Sequence, residues 1–176
     1  MNDARTDLLQ RQFDLTWGLL EYHLDRLVPE EVLWEPAPLC WTMHRSGDGW
    51  VPDWADSEPD PIPVPTIGWV TWHIGWWWGV TLDHLSGRVP RDREAVAWPG
   101  PDGVVEWLSA LRGEWATVLP TVSLDAPAPF PWPEGSGMTV ADTAAWVNAE
   151  LMKNAAELGQ LRLLRAASSE KPSAKP

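Results

Sequence analysis

The stretch Pro65 to Gly87, PTIGWVTWHIGWWWGVTLDHLSG, decides the fold. Thr66 after Pro65 is a good helix N-cap, Gly87 is a good stop, and the residues between them are apolar nearly all round. That pattern predicts a helix buried between neighbours, the central element of a bundle. Trp69, Trp72, Trp76, Trp77 and Trp78 crowd around one histidine, His73. A buried imidazole loses hydration that it must recover from a hydrogen bond, a metal or a solvent-connected cavity, so His73 marks a candidate site. Thr66 to Leu82 carries no formal charge over 17 residues, and Gly75 with Gly79 forms a small-xxx-small pair. A membrane span is nevertheless not expected. The run is short, its indoles sit at mid-depth, it holds a histidine, and Asp83 and His84 follow closely.

Working outward, Asp3 to Leu27 reads as an amphipathic helix with Phe13, Trp17, Leu20, Leu24 and Leu27 on one face, ended by Pro29. Val28 to Pro65 is too rich in proline for a regular helix, yet it contains Trp34, Trp41, Trp50 and Trp54. A loop packed onto the body is expected there. A third helix spans Gly103 to Leu119, with Val104, Trp107, Leu108, Leu111 and Trp115 facing inward. A fourth opens at a capping box formed by Thr139 and Asp142 and buries Val140, Ala144, Val147, Leu151, Ala155 and Leu158. Four helices, two long connections and no strand signal predict an all-α four-helix bundle, one domain over residues 1–166, with a disordered polar tail over 167–176.

Net charge and cysteine usage narrow the function. A formal charge of −12 and an isoelectric point near 4.6 argue against nucleic acid and anionic membranes as partners. Cys40 is the only cysteine and the N-terminus has no apolar secretory core, so a reducing cytoplasm is the expected location. Cys40 has only His44 as a basic neighbour and reads as a small apolar filler. Neither a phosphate loop, a GxSxG elbow nor a CxxC pair is present.

On the fourth helix Glu150, Lys153, Asn154 and Glu157 share one sector. If that sector faces His73, then His73, Glu150 and Glu157 could hold a divalent zinc, nickel or manganese ion. The same spacings also describe ordinary salt bridges on a solvated face. Fifteen tryptophans exceed what a small core needs, and Trp69, Trp72, Trp76 and Trp77 with Asn154 are candidates to line an apolar small-molecule pocket.

The order of a first helix with Trp17, a loop with Trp34 and Pro36, a Trp-His-Ile-Gly helix and a last helix carrying Glu157, Leu158, Gly159 and Gln160 resembles the DinB-like superfamily, above all its tryptophan-rich actinobacterial members. The resemblance covers about Leu8 to Arg165. It implies an up-up-down-down bundle, often a homodimer, with a metal held by three histidines. By position His73 matches the first of these, while Lys153 and Glu157 stand where the paired histidines would be. The resemblance further implies transferases and isomerases that use a low-molecular-weight thiol, mycothiol in actinobacteria, with the metal generating the thiolate. On that reading the protein is a thiol S-transferase for an apolar electrophile, with an altered metal site. The alternatives are a metal-free small-molecule-binding or homodimeric interaction protein without catalysis, and metal-free acid–base chemistry by His73 with Glu157. A protonated Lys153 beside the site would repel a divalent cation.

Overall fold

The computed structural model describes residues 4–169. Four long helices form the body: α1 (Ala4–Leu24), α3 (Ile67–Leu85), α4 (Val104–Val118) and α5 (Val140–Ser169), with a short α2 (Pro29–Val32) after α1. Thr66 caps α3 as expected, its Oγ1 accepting from the Trp69 amide at 3.3 Å. At the start of α5 the Asp142 carboxylate reaches back to accept from the Thr139 amide at 2.7 Å and its hydroxyl at 2.9 Å. α1 stops at Leu24, short of the expected Leu27, and Pro29 is not what ends it. Pro29 instead opens α2 as a first-turn proline, where its missing N–H costs nothing.

The core is the meeting of the predicted stripes. Phe13, Trp17, Leu20 and Leu24 of α1 are buried, and the Trp78 ring of α3 contacts Phe13, Trp17 and Trp115, which joins α1, α3 and α4.

Three further expectations need correction. First, the proline-rich connection contains strands. β1 (Cys40–Trp41) pairs in parallel with β4 (Val64–Pro65), and β2 (Met43–Ser46) forms an antiparallel hairpin with β3 (Gly49–Pro52). Elements of two to four residues are too short to show an alternating pattern against so many prolines. Gly47, at φ +56°, supplies the left-handed residue of the hairpin turn. Second, α5 continues to Ser169, beyond the boundary expected at 166, and the remainder of the expected disordered tail lies outside the described residues.

Third, the helix directions differ from up-up-down-down. Leu9 meets Asn148, His23 lies against Gly159 and Arg26 meets Arg162, so α1 and α5 run in the same direction. Trp77 bonds Asn154, while His84 near the end of α3 lines a cleft with Val140 at the start of α5, so α3 opposes α5. Gly75 meets Trp107 and Trp78 meets Trp115, so α3 and α4 are parallel. The order is up, down, down, up. The reason is residues 86–103, which return along α3: Arg91 binds Asp83, and Trp98 Nε1 donates to Thr71 Oγ1 at 3.1 Å. Eighteen extended residues span up to about 59 Å, ample to retrace a helix about 28 Å long.

Candidate functional site

His73 lies on the half of α3 that the proline-rich connection covers. Its imidazole stacks on Trp69 at 5.1 Å with an interplanar angle of 9°, and Trp76 flanks it at 5.8 Å and 59°. The connection holds this arrangement from outside. Trp41 stacks on the Trp69 ring at 4.9 Å, Trp54 stacks on Trp69 at 6.4 Å and sets its edge against Trp72 and Trp76, and Trp69 Nε1 donates to the Asp53 carbonyl at 2.8 Å. Asp53 also accepts from the Thr42 amide and pairs with His44 at 2.8 Å, which pins the hairpin. His44 is therefore engaged with a carboxylate. Cys40 Sγ donates to the Ala37 carbonyl at 2.9 Å.

On α5, Lys153 and Glu150 lie close enough to His73 to act on its charge. Burial, aided by the nearby Lys153 ammonium and partly offset by Glu150, pushes the His73 pKa down to about 4. The imidazole is thus neutral at neutral pH. Its Nδ1 is buried and has no hydrogen-bond partner. Lys153 Nζ pairs with Glu150 Oε2 at 2.7 Å. Buried Asn154 joins the two helices: its Oδ1 accepts from Trp77 Nε1 at 3.2 Å and its Nδ2 donates to Glu157 Oε2 at 2.8 Å.

These contacts test whether the residues suit a divalent ion. Glu150 is committed to an ammonium, Glu157 to an amide, and the cation placed beside the imidazole is Lys153. Among the described residues no three His, Cys, Asp or Glu side chains converge as a group able to hold a metal. The donor set as it stands does not fit a metal ion.

The tryptophans divide by role. Trp69, Trp72 and Trp77 are buried in the core, and Trp76 is half-buried beside His73. Clefts lined by other residues open elsewhere, one of about 560 Å³ between the β2–β3 hairpin and residues 94–102 and one of about 820 Å³ within 125–139. His84 lies in the last turn of α3, stacked on Phe130 at 5.8 Å.

Sequence reasoning missed one charged cluster. Asp83 is 3 % exposed and accepts from Arg88 Nε at 2.8 Å and Arg91 Nε at 2.6 Å, while Arg88 also pairs with Glu114 on α4 at 2.6 Å. The guanidinium bonds hold the Asp83 carboxyl down to about 2. The only signal was an acidic residue in an apolar helix followed by two arginines. Among the described residues no helix is long and apolar enough to cross a membrane.

A family model described as the DinB superfamily matches residues 12–158. No curated protein and no solved structure matches the chain.

Proposed function

Because the chain belongs to the DinB superfamily, we propose that it is a small-molecule-binding protein of that family whose site is the face between His73 on α3 and Glu150 to Glu157 on α5, working without a divalent metal. The observation that carries this is Lys153. Its ammonium is bound to Glu150 and close enough to His73 to lower the imidazole's basicity. It therefore supplies the positive charge that balances carboxylate here, and it opposes the entry of a second cation.

The same chemistry favours binding over acid–base catalysis. An imidazole with a pKa near 4 is a weak base at neutral pH, far from the value that suits proton transfer there. It is well suited to hydrogen bonding with a neutral ligand, and the half-buried indole of Trp76 offers an apolar surface beside it. A free Cys40 accords with a reducing compartment, and we place the protein in the cytoplasm on that ground.

One observation favours a second reading, a metal-dependent thiol S-transferase of the mycothiol type acting on a small apolar electrophile. Neutral His73, with Nδ1 unpaired, is in the protonation state that a zinc, nickel or manganese ligand requires. That reading needs Lys153 turned away and Glu150 and Glu157 released from their partners.

Elemental analysis decides between them, on protein purified without chelator or histidine tag, loaded with zinc, manganese or nickel and then desalted. The expected result is metal far below one equivalent, with Lys153→His raising zinc affinity about tenfold or more, the scale on which metal sites respond to their surroundings. Near-stoichiometric metal that is lost in His73→Ala and Glu157→Ala would overturn the metal-free reading. If metal is absent, quenching of tryptophan fluorescence by apolar aromatic compounds should depend on His73 and Trp76.

A further inference from the structure

Trp54 stands between two spaces. On one side its ring lies nearly parallel to Trp69, at 6.4 Å and 15°, and sets an edge against Trp72 and Trp76, in the indole cluster that flanks His73. On the other side it borders a cleft of about 190 Å³ with Trp50, Val51, Arg93 and Val96. That cleft shares Trp50, Glu94 and Val96 with the cleft of about 560 Å³ beside the β2–β3 hairpin, so the two form one groove that runs from Asp102 to Trp54. The larger part alone has the size of a small-molecule site.

The Trp54 ring is poorly satisfied where it lies. Its Nε1 is buried without an acceptor, and so is Nε1 of Trp72, which is 0 % exposed and in edge contact with it. An indole N–H only donates, so both groups lack the same thing, and a buried donor without an acceptor is a penalty that the closed arrangement carries. No hydrogen bond holds the Trp54 side chain; the Arg93 guanidinium lies over its face at 4.4 Å. The backbone beside it is fixed, because the Asp53 carbonyl accepts from Trp69 Nε1 and its carboxylate holds the Thr42 amide and His44. Rotation about the side-chain bonds of Trp54 is therefore the movement that carries the ring into the groove.

We propose that Trp54 is a gate that fills the ligand position of the His73 site, and that the ligand is a flat bicyclic aromatic with a hydrogen-bond acceptor, which enters along the groove and replaces the indole on Trp69. This rests on the His73 face being a small-molecule site. The shape follows from what is displaced, an indole plane held between one ring face and two ring edges. The acceptor follows from the Trp72 N–H left unanswered in the wall. Indole walls with a guanidinium at the entrance favour an uncharged ring over a cation.

Quinoline and naphthalene are the probes, since they share a shape and only quinoline carries an acceptor. Calorimetric titration of the full chain at pH 7 should show quinoline binding about fivefold tighter than naphthalene, the scale of one hydrogen bond. Arg93→Ala frees the ring from its guanidinium and should tighten quinoline about two- to fivefold, while Trp54→Ala leaves the position open and should tighten it about tenfold or more. In protein labelled with 5-fluorotryptophan, the Trp54 fluorine signal, assigned from Trp54→Phe, should shift as quinoline saturates the wild type. A Trp54 signal that stays fixed at saturation overturns the gate, as does binding by Trp54→Ala alone, which would make the space an engineered cavity. Equal affinity for the two probes overturns the acceptor. Tryptophan quenching by apolar aromatic compounds that still depends on His73 and Trp76 would, beside a fixed Trp54 signal, sink the gate and leave the His73 site standing. Loss of that dependence together with quinoline binding would sink the site itself.

Discussion

At the scale of single residues the molecule turns on His73 and the charges around it. The ring titrates at 6.5 in an ordinary setting and at about 4 here, so between those values the unfolded chain binds a proton that the folded chain refuses. Stability is therefore full above about pH 6.5 and falls as the pH drops toward 4, by an upper bound of about 3 kcal/mol from this residue. Burial also lowers His23, with Arg162 and Arg26 adding to it, so His23 acts in the same direction. Urea unfolding between pH 7 and 4.5 should show the loss in the wild type and a shallower one in His73→Gln; equal slopes would remove His73 from the account. Lys153→Met, which takes away a repelling charge and leaves Glu150, should raise the His73 pKa measured by NMR. Much of this site was legible, because a histidine among indoles and a shared sector of α5 need only helix geometry to be read. The Asn154 link between Trp77 and Glu157 was not, since a hydrogen bond between two helices depends on their relative height, which no periodicity in either one encodes.

At the scale of the element, α3 shows how one pattern supports two readings. Gly75 and Gly79 resemble a membrane-helix pairing motif, but each is a notch for a neighbour: a Cβ at Gly75 would run into the Trp107 ring of α4, and one at Gly79 would press on the Arg91 guanidinium. Gly75→Ala should therefore destabilise by about 2 kcal/mol through overpacking, despite the better helix propensity of alanine. Gly18 on α1 is the control. Nothing lies within 4 Å of a Cβ placed there, and Gly18→Ala should stabilise by up to about 1 kcal/mol. Thermal or urea denaturation of the two variants should move in opposite directions, and a Gly75→Ala protein as stable as the wild type would mean that the Trp107 contact gives way freely.

At the scale of the whole molecule, the four long helices could be read from their stripes, caps and prolines, whereas their directions could not. Direction is set by what a connection does in space, and residues 86–103 look like a plain loop until Arg91 is seen on Asp83 and Trp98 on Thr71. Those contacts lay the segment back along α3 and start α4 beside the same end, which makes α3 and α4 parallel. Asp83 is the anchor of that return. Its carboxylate is buried and takes bonds from both Arg88 and Arg91, and Arg88 passes the link to Glu114 on α4. Both arginines keep partial contact with water, so losing the charge costs less than breaking a sealed pair. Asp83→Asn keeps the shape and removes the charge, and it should cost about 2 kcal/mol, the scale of hydrogen bonds to a charged group. With its pKa held to about 2 against an ordinary 3.8, Asp83 stabilises the fold fully above pH 3.8 and loses that effect as the pH falls toward 2. Hydrogen exchange should show the amides of 88–98 losing protection in Asp83→Asn while those of α1 and α5 keep theirs. A uniform loss across all four helices would mean that Asp83 supports the core as a whole and not the crossing that sets the topology.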